Sequence, residues 1–159
     1  MARNIWTVVC ESTSVDSNDQ TLSMFRVLEE INAEIHYPKG TQEPKDPVIP
    51  LAFTIVSYWE RSDLDVAEPD DSFDVRVVDP SGKVIFVRTQ QFSIVDPHKR
   101  MRAVQRIQLL PAKASGRYEV QLLVPRGKSK TGKMKVASIP LEVRIKTVED
   151  VIPVSPNSS

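Results

Sequence analysis

Seven carboxylates fall between residues 60 and 74: Glu60, Asp63, Asp65, Glu68, Asp70, Asp71 and Asp74. Clustered oxygens suit calcium, which accepts many ligands in irregular geometry. Asp63, Asp65, Asp70 and Asp71 form the candidate ligand set. The stretch lacks the D-x-[DN]-x-[DN]-G spacing of a helix-loop-helix calcium site. A solvated acidic turn, or a partner for a basic surface, is the stronger reading, so no metal and no cofactor are expected. A second cluster has the opposite sign: Arg126, Lys128, Lys130, Lys133 and Lys135. It overlaps Gly127-Lys128-Ser129-Lys130-Thr131-Gly132-Lys133-Met134, which reads G-x-x-x-x-G-K and then fails. A phosphate-binding loop needs Ser or Thr where Met134 stands, because that hydroxyl holds magnesium. It must also open a helix, whose N-terminal amides cradle the anion. Here the alternating MKVASIPLEVRI follows, a strand pattern. These cations are therefore read as a partner-binding loop at a hairpin tip.

Nucleophilic and metal chemistry find little support. His36 and His98 are the two histidines. A zinc enzyme wants three good ligands, and these two fall on separate segments. No G-x-S-x-G elbow presents a serine. Cys10, the one cysteine, sits in an apolar strand, where a thiol is inert. No enzyme activity is expected. Tyr58 and Trp59 are adjacent on a strand and so point to opposite faces.

The scaffold for these residues must come from one ordinary core. The chain has 159 residues, 40% hydrophobic and 26% charged. That length suits a single domain, taken as 1–150 with a loose tail at 151–159. No apolar run reaches the length of a membrane helix, and the N-terminus lacks a signal-peptide core, so a cytoplasmic protein is expected. Net charge is zero but unevenly placed along the chain. Residues 1–74 hold 15 Asp or Glu against 5 Lys or Arg, a net of −10. Residues 98–135 hold 11 Lys or Arg against Glu119 alone, a net of +10. Either strands from the two blocks interleave, or the molecule is dipolar and steers its own association.

The repeat of two dominates the chain, as in strands with one buried face. Ile5 to Cys10 is the first. Leu22 to Ile35 fits one long strand better than a helix. Residues 38–50 hold four prolines and read as a loop. Leu51 to Trp59, LAFTIVSYW, is the clearest buried strand, and Ser62 to Asp71 an acidic loop. Phe73 to Val78 and Lys83 to Val87 flank Asp79-Pro80-Ser81-Gly82, a type I turn with proline at its second position. Gln91 to Val95, Met101 to Leu110, Arg117 to Val124 and Met134 to Val148 follow, with Pro140 marking an edge or bulge. Eight or nine strands at this spacing predict an all-β, two-sheet antiparallel sandwich.

Four stretches resemble an uncharacterised group of bacterial and phage β-sandwich proteins of immunoglobulin-like or C2-like topology. They are Phe25-Arg26-Val27-Leu28-Glu29-Glu30-Ile31, Val77-Val78-Asp79-Pro80-Ser81-Gly82-Lys83, Leu110-Pro111 with Gly116-Arg117-Tyr118-Glu119-Val120, and Ser138-Ile139-Pro140-Leu141-Glu142-Val143. The resemblance implies a structural role for Tyr118, bracing a crossover loop through its hydroxyl. It implies no activity. The expected function is a non-catalytic module that binds a protein or copies of itself. A C2-like calcium or anionic-membrane domain is the alternative, and neither nucleic acid nor a small-molecule substrate is expected. Reversing Lys128, Lys130 and Lys133 to Glu is expected to weaken partner capture in a pull-down at unchanged thermal stability.

Overall fold

The alternating pattern folds, among the described residues, into nine strands: β1 (Ala2–Val15), β2 (Leu22–Val27), β3 (Glu30–Tyr37), β4 (Ile49–Arg61), β5 (Asp70–Val78), β6 (Val84–Ser93), β7 (Arg100–Ala112), β8 (Gly116–Pro125) and β9 (Lys133–Glu149). The computed structural model describes residues 2–61, 70–94, 100–126 and 132–151, with backbone alone at 70 and 71. The strands form a two-sheet β-sandwich, of orders β2-β1-β4-β7 and β3-β9-β8-β5-β6. Six strand pairs are antiparallel. The seventh departs from the expected pattern: β3 and β9 run parallel, from Glu30 opposite Glu142 to Tyr37 opposite Glu149.

The expected long strand over Leu22–Ile35 is two strands in different sheets. The chain crosses at Leu28-Glu29. Leu28 N donates to Val9 O at 2.8 Å in one sheet, and Glu142 N donates to Glu29 O at 2.9 Å in the other. Arg26, at φ 52°, breaks the extended run just before the crossing, since left-handed backbone is unusual for arginine. Conversely, Lys83–Val87 and Gln91–Val95 were separate expectations, and most of both lies in the single strand β6. Pro140 pairs with Glu119 of β8, while β3 joins the other side of β9 only from Glu142 onward. The missing N–H thus falls where that outer edge has not yet met a strand.

The core lies between the sheets. β4 sends Phe53, Ile55 and Trp59 inward, each at most 2% exposed. Trp59 stacks on Phe73 of β5 at 4.7 Å between centroids and tilts against Phe92 of β6 at 5.5 Å. A buried indole N–H needs an acceptor. Ser57, two residues back on the same face and buried, supplies it at 2.8 Å. One polar residue inside an otherwise apolar run is thereby accounted for.

Two of the quoted motifs meet at one end. Asp79 Oδ1 accepts from Ser81 N, Ser81 Oγ and Lys83 N at 2.9, 2.6 and 2.9 Å. Gly82 N donates to Asp79 O at 2.9 Å, and Gly82 takes φ 86°, closing the hairpin with a left-handed residue as such loops require. Pro80 of this turn lies against Gly116, where a Cβ would stand 3.0 Å from Pro80 Cγ. Tyr118 is buried and donates its hydroxyl to Ala114 O at 2.9 Å, bracing the β7–β8 connection.

Ser57→Ala is expected to lower unfolding free energy by about 1–2 kcal/mol, the cost of a buried unsatisfied donor. Tyr118→Phe is expected to cost about 1 kcal/mol. Chemical denaturation of each variant beside the wild type measures both, and a Ser57→Ala protein as stable as the wild type would show that the indole N–H finds another acceptor.

Candidate functional site

Of the five cations expected at the hairpin tip, Arg126, Lys133 and Lys135 lie within the described residues, and Lys128 and Lys130 lie outside them. Arg126 N donates to Gly132 O at 3.0 Å and closes the hairpin base. Lys133 is not a free partner-binding cation. Its ammonium hydrogen-bonds Asp74 Oδ2. Asp74 is 2% exposed, takes a second bond from Thr89 Oγ1 at 2.8 Å, and has Arg76 Nη2 at 3.9 Å. Burial alone would push its pKa up, but the bonds from Lys133 and Thr89 and the nearby cations hold it below the ordinary value of 3.8. Charge reversal at Lys133, whose own side chain is 38% exposed, would set a second carboxylate beside the buried Asp74, so the triple variant is expected to lose stability.

The acidic set is also redistributed. Asp63 and Asp65 lie outside the described residues, while Asp70 and Asp71 open β5 as strand residues opposite Ser93 and Phe92. Asp74 is taken by Lys133, and Glu60 bridges two arginines. Arg3 Nη2 donates to Glu60 Oε2 at 2.9 Å and Arg100 Nε to Oε1 at 3.3 Å. The bond from Arg3 is the main reason that the Glu60 carboxyl sits below its usual range. Among the described residues, no group of three His, Cys, Asp or Glu side chains converges as a metal site would require. His36 pairs through Nδ1 with Asp150 Oδ1 at 3.0 Å, and His98 lies outside the described residues. Cys10 is fully buried, and burial pushes its thiol pKa up, so little thiolate forms.

The outer face of the four-stranded sheet is where the two charge blocks meet. Partners opposite one another in a ladder share a face. Arg3, Glu60 and Arg100 form one row, and Trp6, Tyr58 and Arg102 the next. Val8, Val56 and Val104 follow, then Cys10, Thr54 and Arg106. Trp59 points into the core, so its neighbour Tyr58 points out and stacks on Trp6 at 5.4 Å and 15°. Trp6 stays 36% exposed.

A recess opens beside these rows. The β1–β2 hairpin reaches β7, where Arg102 Nη2 donates to Gln20 O at 3.0 Å. Between the hairpin and the β6–β7 edge is an open space of about 750 Å³, lined by Thr13, Ser14, Arg88, Gln90, Gln105 and Arg106, with Val15 and Val104 as its apolar part. Gln105 Nε2 donates to Gln90 Oε1 at 2.6 Å and ties the two sheets at this edge. Gln105 Oε1 is buried and meets no donor among the described residues. Arg88 lies 5.6 Å over the Phe86 ring, and its Nη1 reaches Arg106 O at 3.5 Å. Among the described residues, no carboxylate lines the recess.

Arg88 and Arg106 were missed as site residues in the sequence because an exposed arginine in an alternating strand looks like ordinary solvated surface. One signal was available. Arg100, Arg102 and Arg106 alternate with Met101, Ala103, Gln105 and Ile107, so a strand here had to carry its arginines on one face. No protein-family model matches the chain, and no curated protein sequence matches it either.

Removing Lys133 leaves a buried carboxylate short of its main partner. Lys133→Ala is expected to cost on the order of 2–3 kcal/mol in chemical denaturation, below the full loss for a buried pair because Arg76 stays close. Asp74 has a depressed folded pKa, so its contribution is present above the ordinary value and is lost as pH falls through the folded one. The wild type should therefore melt above Asp74→Asn at pH 7, and the gap should narrow only below 3.8. A gap that stays constant down to pH 2 in thermal melts would refute a charge-based role.

Proposed function

We propose that this protein is a non-catalytic binding module that engages a protein partner at the arginine-lined recess and the adjoining aromatic row. The observation that carries the reading is that Arg88 and Arg106 line one recess with no carboxylate among the described residues that line it. A guanidinium resting on a ring is already ordered, so less freedom is lost when it binds. Trp, Tyr and Arg dominate the energetics of protein interfaces, and Trp6, Tyr58 and Arg102 supply all three in one row. Arg126 and Lys135, with Lys128 and Lys130, form the secondary set. Their charge would raise the rate of encounter with an acidic partner more than it deepens affinity. The same reading takes the scaffold as immunoglobulin-like and the setting as cytoplasmic, where a lone thiol such as Cys10 stays reduced.

Affinity capture from the native host tests this, using the wild type beside Arg88→Glu/Arg106→Glu. Both positions are solvent-facing, so the melting temperature is expected to hold within about 0.5 kcal/mol of equivalent stability. A protein retained by the wild type and lost from the variant is the expected outcome. Equal recovery from both would sink the recess as the binding site.

A further inference from the structure

We infer that the segment received by the recess is acidic and extended, with carboxylates four residues apart and an apolar residue midway between them. The inference rests on the recess being the binding site and goes further by naming the chemistry of its occupant. Three guanidinium groups border this region: Arg88 and Arg106 line the recess, and Arg102 stands one row beyond Val104. Among the described residues, none of the three has a carboxylate within ion-pairing distance, whereas Arg3 and Arg100 are both committed to Glu60. The surplus of positive charge is thus local, and guanidinium forks bind carboxylates through two parallel hydrogen bonds.

Spacing favours an extended chain. Arg102, Val104 and Arg106 share the outer face of β7, and alternate residues on a strand stand about 6.8 Å apart. An extended peptide repeats at the same interval. Only every second side chain of an extended chain faces the recess, so acidic residues four positions apart meet Arg102 and Arg106, and an apolar residue midway between them meets Val104. Thr13 and Ser14 add hydroxyl donors on the opposite wall.

A peptide fits better than a nucleic acid. Stacked bases need free aromatic faces, and among the described residues no aromatic side chain lines the recess. Trp6 and Tyr58 stack on each other instead, each covering one face of its neighbour. Asp16 and Asp19 flank the hairpin turn whose Gln20 carbonyl holds Arg102. They would repel the closely spaced charges of a phosphate backbone more than a peptide whose carboxylates are four residues apart.

Fluorescence polarisation with the purified full chain tests the inference. The probes are a labelled alternating peptide, Glu-Ser-Val-Ser-Glu-Ser-Val-Ser-Glu, whose Glu and Val residues alternate along one face, the same peptide with Gln for each Glu, a reordered peptide with its three glutamates contiguous, and an oligothymidylate of matching charge. The alternating peptide is expected to bind, to weaken as salt rises, and to lose tenfold or more in affinity in Arg106→Gln. Arg88→Gln should behave likewise, and Lys135→Gln should not. Circular dichroism melts confirm that each variant is folded, and Arg106, with no side-chain partner among the described residues, is the safer of the two.

Failure of the alternating peptide to bind overturns the inference. So does equal binding of the contiguous peptide, because charge without spacing would then suffice. Tighter binding of the oligothymidylate would replace the peptide by a nucleic acid. Each result is separable from the underlying reading: if host capture still depends on Arg88 and Arg106 while the peptide fails, the recess remains the binding site and the acidic, extended occupant is rejected.

Discussion

Two twisted sheets hold together only where large side chains from both inner faces interlock, and in this sandwich that contact is Trp59 of β4 against Phe73 and Phe92. The stack at 4.7 Å fixes more than the core. Side chains alternate along a strand, so seating Trp59 inward sets the direction of every other β4 residue. Ser57 is drawn inside with it, where it accepts the indole N–H. Tyr58 and Glu60 are sent outward, one to stack on Trp6 and the other to bridge Arg3 and Arg100. A slip of one residue would reverse all of these assignments. The outer face of the four-stranded sheet is thus a by-product of how the core is keyed.

The same parity dissolves the charge asymmetry of the sequence. Among the described residues, the acidic first half and basic later block are not held apart as opposite ends of a dipole. They are woven together, because β1, β2 and β4 share a sheet with β7, and β5 lies beside β8 and β6. Glu60 meets Arg100 across one ladder, and Asp74 meets Lys133 on the other sheet. Among the described residues, Arg88, Arg102 and Arg106 are left without a carboxylate after that pairing. A surface chosen by what remains unneutralised differs from one chosen by counting lysines in a loop.

Much of the scaffold was legible because a repeat of two is hard to disguise. LAFTIVSYW reads as a strand covered on both sides, and Thr54 and Val56 are indeed buried on its outer side. The Asp-Pro-Ser-Gly turn was legible from its own chemistry. The crossing at Leu28-Glu29 was not, since Phe25 and Val27 before it keep the same parity as Ile31, Ala33 and Ile35 after it, and the choice of sheet is made by distant strands. The parallel pairing of β3 with β9 was hidden for the same reason. The site was harder still. Lys133 and its partner lie 59 residues apart, and no local pattern announces that a lysine in a basic turn will be spent on a buried aspartate. Arg88 and Arg106 come from neighbouring edges of two sheets, so their proximity is a property of the sandwich and not of either strand.

The parallel pair also bears on how the molecule is made. Glu30 and Glu142, 142 − 30 = 112 residues apart, must meet before the five-stranded sheet can finish. On a ribosome, β3 emerges long before the strand that will cover it, and pairings of such separation form slowly. A bare strand edge exposed for that interval invites the wrong neighbour. The composition of β3 answers this hazard: Glu30, Asn32, Glu34 and His36 line one of its faces, so the nascent chain carries its unpaired strand in a hydrated, charged form. Residues that make surface pairs in the finished sandwich, Glu30 with Arg144 and His36 with Asp150, would thus also keep the strand hydrated while translation reaches β9.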